Sequence, residues 1–206
     1  MNVEKQVAEI LLDLKCVVFN FKDFFTYTSG MKSPIYTNCR LLISYPKERE
    51  QIAQWLAELI KSKVKIDKNT LICGSASAGI PHAAWVSEYL KIGMIYARDK
   101  QKEYGLCKII EGKDIKKLPV IIVEDHITTG KSIVEEVKNI RNECGTVEYA
   151  FSIFSYNLEI AKEKLEQTNI KAFSLCNIDT LLDIAIERKD ITKEQKDDVL
   201  RILGRK

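Results

Sequence analysis

Val120-Ile121-Ile122-Val123-Glu124-Asp125-His126-Ile127-Thr128-Thr129-Gly130-Lys131-Ser132 is the stretch on which the fold turns. The aliphatic run reads as a strand over Pro119–Val123 that ends abruptly in two acids. A turn rich in hydroxyls and glycine then opens a helix over 131–143, with Ile133, Val134, Val137 and Ile140 on one face and Gly145 as its C-cap. In open α/β sheets, ligands bind at the carboxyl ends of strands. The turn offers backbone N–H groups, hydroxyls and the positive end of a helix dipole, which suit a phosphate monoester. Carboxylates repel phosphate, so Glu124 and Asp125 must serve something else, and adjacent sugar hydroxyls fit them. Together the two halves describe a pocket for a sugar phosphate. Gly130-Lys131-Ser132 imitates the end of a nucleotide-binding P-loop, but that pattern needs glycine at position 125, where the chain has Asp. A plain helix-capping turn is the alternative at this point, since Asp and Thr are common caps.

Strands and helices alternate on either side of this stretch. Val3, Val7, Ile10, Leu11 and Leu14 predict an amphipathic first helix. Residues 24–36 read as two β-rich pieces around Ser29-Gly30, a hairpin. Pro46 opens a second helix carrying Ile52, Trp55, Leu56, Leu59 and Ile60. A strand over Thr70–Cys73 runs into the small-residue loop Gly74–Gly79, and a helix follows from about Pro81. Strands near 93–97, 147–154 and 170–175 and helices near 157–166, 178–189 and 192–203 complete the pattern. Such alternation predicts an α/β fold with a mostly parallel, doubly wound sheet flanked by helices.

The chain has 206 residues, 46% hydrophobic and 30% charged, with 32 Lys+Arg against 29 Asp+Glu. One domain over 1–206 is expected, because a second catalytic barrel would need about 250 residues by itself. The net charge of +3 is too small for a dedicated nucleic-acid or membrane-surface binder. The six cysteines, at positions 16, 39, 73, 107, 144 and 176, form no C-x-x-C pair, so zinc-ribbon and thioredoxin readings fail and reduced, buried thiols are expected. Charges at Glu4, Lys5, Glu9 and Asp13 break any signal-peptide core, and no apolar run approaches the roughly 20 residues of a membrane span. A soluble cytoplasmic protein is the expectation.

Two further segments are candidate ligand sites. The Gly74–Gly79 loop permits close backbone approach to a ligand, though tight helix–strand packing explains its small residues equally well. Four cations in the weakly patterned segment Arg98–Lys108 look like a loop able to close over a polyanion, with a solvated surface loop as the alternative.

Together these residues resemble orotate phosphoribosyltransferase, and the stand-alone bacterial enzymes most. The likeness runs through Phe-Thr-x-x-Ser-Gly-x-Lys-Ser-Pro-Ile-Tyr at 25–36 and Gly-Ile-Pro-His-Ala-Ala-Trp at 79–85. It continues in an Arg-x-Lys-x-Lys loop ending at Ile110-Glu111-Gly112, and in Glu-Asp-x-x-Thr-Thr-Gly-x-Ser at 124–132. The last element is common to type I phosphoribosyltransferases; the first two select the orotate branch. The resemblance implies the type I fold with a small N-terminal hood, about 1–45, over a core of about 46–206. It also implies transfer of ribose 5-phosphate from 5-phosphoribosyl 1-diphosphate to orotate, giving orotidine 5′-monophosphate and pyrophosphate in UMP biosynthesis. Mg²⁺ would be carried on the diphosphate, with no metal held directly by the protein.

By the same resemblance, Glu124 and Asp125 would bind the ribose hydroxyls, and His126, Ile127, Thr128, Thr129, Gly130, Lys131 and Ser132 would complete the phosphoribosyl site, Thr128 also touching orotate. Arg98 and Lys102 would contact the diphosphate, with Tyr104 beside them, from a loop 98–112 shared across a homodimer. Lys32 and Tyr36 would lie over orotate. The catalytic set would be Lys102, Arg98 and Asp125. Two positions depart from the family pattern: Tyr104 where His is usual, and His126 where Val or Leu is usual; His126 and His82 are both expected to be structural. A phosphoribosyltransferase for another base and a non-catalytic regulator on the same fold are the alternatives. A chain of this length fits the transferase alone, so the decarboxylase that follows in the pathway is expected on a separate protein.

Overall fold

The computed structural model describes residues 2–26, 32–98 and 109–205. Helix α1 (Val3–Asp13) starts where the Asn2 side chain accepts the Glu4 N–H, and strand β1 (Val17–Phe19) follows. Strands β2 (Phe25–Thr26) and β3 (Lys32–Ser33) pair antiparallel as the expected hairpin; its turn lies outside the described residues. Strand β4 (Ile35–Thr37) pairs with β1, an element too short to show in the sequence pattern. A 3-10 turn (Cys39–Ser44) leads to α2 (Pro46–Lys63), with proline in the first turn as its missing N–H allows.

The main sheet begins with β5 (Leu71–Gly74), α3 (Gly79–Leu90), β6 (Gly93–Ala97) and β7 (Ile110–Glu111). It continues with β8 (Pro119–Ile127), α4 (Lys131–Asn142), β9 (Thr146–Ser155), α5 (Glu159–Gln167) and β10 (Lys171–Asn177), and the chain closes on α6 (Ile178–Glu187) and α7 (Lys193–Ile202). The strand order is β10-β9-β8-β5-β6-β7, parallel except for β7 against β6. The mostly parallel sheet flanked by helices is as expected. The chain turns one way after β5, toward β6, and the other way after β8, toward β9. The gap between the β5 and β8 carboxyl ends is therefore the topological switch point, where a crevice opens.

Alternate β8 residues feed two cores. Ile121 and Val123 belong to the core that includes residues of α1, α2, α3 and α6, while Val120 and Ile122 belong to the one that includes Ile133, Val137 and Ile140 of α4 and Leu165 of α5. Residues of the N-terminal elements, including Val17, Ile35 and Leu42, belong to the first core.

Three local expectations need correction. Strand β8 runs to Ile127 rather than stopping at Val123, because β9 keeps pairing with it through His126↔Phe154 and Ile127↔Ser155. Helix α3 begins at Gly79, before Pro81. The left-handed residue after α4 is Cys144, at φ 59°, and Gly145 follows with its N–H on the Ile140 carbonyl. Glycine is needed at 145 for space: a Cβ there would stand 2.9 Å from the side chains of Ile115 and Ile140.

Candidate active site

The β5–β8 register ends at Gly74↔Val123, so β8 projects past β5 by the residues Glu124 to Ile127. The acids thus belong to a strand whose neighbour on one side has been replaced by a loop. That loop is Ser75–Ala78, tied down by Ser75 N–H to Val123 O (3.1 Å) and Gly79 N–H to Ser75 O (2.8 Å). The Ala76–Ser77 peptide is cis. Gly79 lets α3 sit directly on β8, since a Cβ would lie 2.5 Å from Val123 O. Gly79 thus serves packing, while Ala76, Ser77 and Ala78 line a cleft.

The cleft has a volume of about 340 Å³ and is bounded by Arg40, the loop 76–78, Glu124, Asp125, His126 and the turn Thr128–Ser132. Gly130 takes φ 70°, and no side chain caps α4. The first-turn N–H groups of α4, normally satisfied by a cap, are left at the cleft for an anion. Arg40, from the 3-10 turn, adds a cation, its Nε donating to Asn38 Oδ1 at 3.0 Å.

Glu124 and Asp125 are buried at 5% exposure each. Glu124 accepts from Ser132 Oγ (2.9 Å) and from the Asp125 N–H (3.1 Å). Burial, reinforced by the Asp125 charge, raises its pKa to about 7. Asp125 accepts from the His126 N–H (2.8 Å), and His126 Nδ1 lies 3.1 Å from Asp125 Oδ2. Burial pushes the Asp125 carboxyl up, but the imidazole and the backbone donor outweigh it and hold Asp125 below its ordinary value. The site thus carries one firmly ionised carboxylate and one close to neutrality, side by side.

His126, expected to be structural, borders the cleft beside Asp125, with its ring edge-on to Tyr156 (centroids 6.3 Å apart). His82 is structural, as expected. It is buried in α3 against Trp85, and desolvation lowers its pKa to about 4. Ile127 is the one member of the 124–132 set whose side chain turns away, into the core beneath α4 and α5. Lys131 is exposed at the cleft rim, 3.8 Å from Glu135. Lys32 and Tyr36 lie on the hairpin side, Tyr36 packed on Phe25 (5.4 Å), and neither borders the cleft. Arg98 pairs with Glu111 at 3.2 Å and borders a second crevice with Ser75, Ala76 and Ser132, next to the first. Lys102 and Tyr104 lie outside the described residues.

Glu136 was not foreseen. It is buried in α4, accepts from Cys73 Sγ at 2.9 Å and has no partner for Oε2; burial raises its pKa to about 8. Its signal was present: a carboxyl one turn from Ile133 and Ile140 sits on the apolar stripe, not on the wet face. Of the six cysteines, 16, 39, 73 and 176 are buried and free, and Cys144 is free and exposed.

No family model matches the chain. A curated protein of Listeria innocua serovar 6a, named orotate phosphoribosyltransferase, is 42% identical over 195 residues, 94% of this chain and 92% of the relative. One of Malacoplasma penetrans with the same name is 43% identical over 198 residues, 95% and 93% of the two chains. Among solved structures, Leishmania donovani UMP synthase superposes with a TM-score of 0.84 at 28% identity, covering 98% of this chain and 42% of that longer one. Identity and coverage at this level place the chain in the orotate phosphoribosyltransferase family.

Proposed function

We propose that the chain transfers ribose 5-phosphate from 5-phosphoribosyl 1-diphosphate to orotate, giving orotidine 5′-monophosphate and pyrophosphate in pyrimidine biosynthesis. The observation that carries this reading is the buried Glu124-Asp125 pair beside the uncapped start of α4: diol acceptors next to a phosphate cradle. Asp125, ionised, accepts from one ribose hydroxyl and Glu124 from the other, while Thr128–Ser132 and the first α4 N–H groups take the 5′-phosphate. The diphosphate then runs toward Ser75, Ala76 and Arg98, whose crevice adjoins the cleft.

As the glycosidic bond to diphosphate breaks, positive charge grows on the sugar and negative charge on the leaving group. Arg98 and Lys102 answer the leaving group, and Asp125 lies beside the sugar as it turns cationic. Orotate is already an anion and needs little basic activation, so holding the two reactants in line supplies much of the rate. Mg²⁺ on the diphosphate would supply further countercharge. The donor set fits that route: the two cleft carboxylates already accept hydrogen bonds from Ser132 and from backbone N–H groups, and the described residues bordering the cleft offer no third carboxylate for an all-oxygen protein site. Lys32 and Tyr36, with the elements before about residue 45, form the hood over orotate. Tyr104 would approach the diphosphate as an uncharged hydrogen-bonding group.

The 98–112 loop is shared across a homodimer in this reading, and the enzyme works in the cytoplasm on small molecules, without nucleic acid. No helix of the described residues is long and apolar enough to cross a membrane. Purified protein given orotate, 5-phosphoribosyl 1-diphosphate and Mg²⁺ is expected to consume orotate, with other bases failing to compete. Absence of turnover at saturation would refute the assignment.

A further inference from the structure

We propose that Cys39, Asp125 and His126 form a binding site for a borderline divalent cation of the zinc type at the wall of the cleft. One ligand atom from each, Cys39 Sγ, an Asp125 carboxylate oxygen and a His126 ring nitrogen, lies within 4.8 Å of the others. Bonds of about 2.0–2.3 Å around one tetrahedral ion put its ligand atoms about 3.5 Å apart, so a tightening of roughly 1 Å completes the geometry. Two elements fixed by core packing supply the set: Cys39, fully buried, from the 3-10 turn, and the other two from the projecting end of β8.

His126 Nδ1 is a second observation that favours an ion here. It is sealed from solvent and lies 3.1 Å from Asp125 Oδ2, its ion-pair neighbour, without a hydrogen bond of good geometry. The Asp125–His126 pair leaves the Cys39 thiol out; a metal ion between the carboxylate, the imidazole and the thiol would engage all three. Asp125 and His126 also border the cleft, so a fourth coordination position opens toward it, as in zinc sites that exchange ligands. A thiol and an imidazole select zinc-type ions, whereas Mg²⁺ demands a shell of oxygens. On binding, the Cys39 thiol releases its proton to solvent and the thiolate becomes the ligand.

An ion held here draws on the Asp125 carboxylate and adds positive charge beside it, so it competes with a ribose hydroxyl for that group. The site would therefore act as a reversible inhibitory switch, a consequence that rests on the ribose assignment above, while metal binding itself does not. Co²⁺ is the probe for binding. In the substrate-free protein one equivalent is expected to give a thiolate-to-cobalt charge-transfer band, retained in Cys144→Ser and lost in Cys39→Ser. No band in the wild type, or a band that survives Cys39→Ser, overturns the proposal. Should Cys39→Ser fail to fold, His126→Leu serves instead and must weaken Co²⁺ binding about tenfold or more; unchanged binding overturns it equally.

Turnover in excess Mg²⁺ tests the consequence. Zn²⁺ should raise the apparent KM for 5-phosphoribosyl 1-diphosphate without changing kcat. Cys39→Ser, with unaltered zinc-free turnover, should be about tenfold less sensitive. Cobalt binding at Cys39 without such competition would uphold the metal site and overturn the inhibitory switch.

Discussion

Replacing Glu136 with glutamine should stabilise the protein, and increasingly so as pH rises. The carboxyl is buried with one unpartnered oxygen, and burial raises its pKa from 4.5 to about 8. For an acid shifted upward, native stability is fully present below the unfolded value of 4.5 and is lost as pH climbs through about 8. The unfolded chain has released the proton, while the native state must hold it or bury a charge. At 1.36 kcal/mol per unit, the penalty grows from about 1 kcal/mol at pH 5 to about 4 kcal/mol at pH 8. Glutamine matches the neutral acid in shape, can still accept from Cys73 and does not titrate. The stability difference between variant and wild type should therefore widen by about 3 kcal/mol between those pH values. For a chain of this size that corresponds to roughly 6–12 °C in Tm. Thermal and urea unfolding of both proteins at pH 5, 6, 7 and 8 measures it, and titrating groups other than Glu124 and Cys73, which interact with Glu136, cancel in the difference. A gap that stays constant with pH, or that narrows, would show that Glu136 is not held as a buried neutral acid.

Other outcomes follow from the same geometry. Gly79→Ala should cost about 1–3 kcal/mol in stability and lower turnover, because its Cβ would drive α3 off Val123 O; a melt matching wild type would contradict that close contact. Ser132→Ala removes the hydroxyl donor to Glu124 and should reduce kcat/KM for 5-phosphoribosyl 1-diphosphate about tenfold, a loss of one hydrogen bond, whereas an unchanged value would remove Ser132 from the ribose side. Thr192→Ala breaks the capping box with Gln195 and should destabilise by about 1 kcal/mol while steady-state kinetics stay at wild-type values. Mixing inactive Lys102→Ala with inactive Asp125→Asn should restore up to about a quarter of wild-type activity if the loop crosses between subunits, since half of random dimers are mixed and each carries one intact site. No recovery in confirmed mixed dimers would place Lys102 in its own subunit's site.

Much of this arrangement was legible in the residues. The aliphatic run before Glu124, the hydroxyl turn and the amphipathic helix after it fix a strand, a phosphate cradle and the face of α4, and all three fall where the periodicity puts them. The end of β8 did not, for a physical reason: beyond Val123 the strand leaves its β5 partner and its side chains turn to a ligand cleft, so the apolar signal stops while the backbone ladder with β9 continues. Strands β1, β4 and β7 span two or three residues and leave no periodic trace. Arg40 and Cys39 reach the acids across more than 80 residues of chain, and only the packing of the 3-10 turn against β8 brings them there. His126 is expected to be structural because the segment already has its acids; the end of β8 brings it to the cleft beside Asp125. Glu136 could have been found, since a carboxyl on the buried stripe of a helix needs a reason to be there.

The central claim is that Glu124 and Asp125 hold the sugar of a phosphoribosyl donor while the start of α4 holds its phosphate. A crystal structure with 5-phosphoribosyl 1-diphosphate and Mg²⁺ bound tests it most directly. The account predicts the two ribose hydroxyls within hydrogen-bond distance of the Glu124 and Asp125 carboxylates and the 5′-phosphate on the N–H groups of Thr128–Ser132. A donor bound with its ribose hydroxyls away from both carboxylates, or its 5′-phosphate elsewhere, would contradict it.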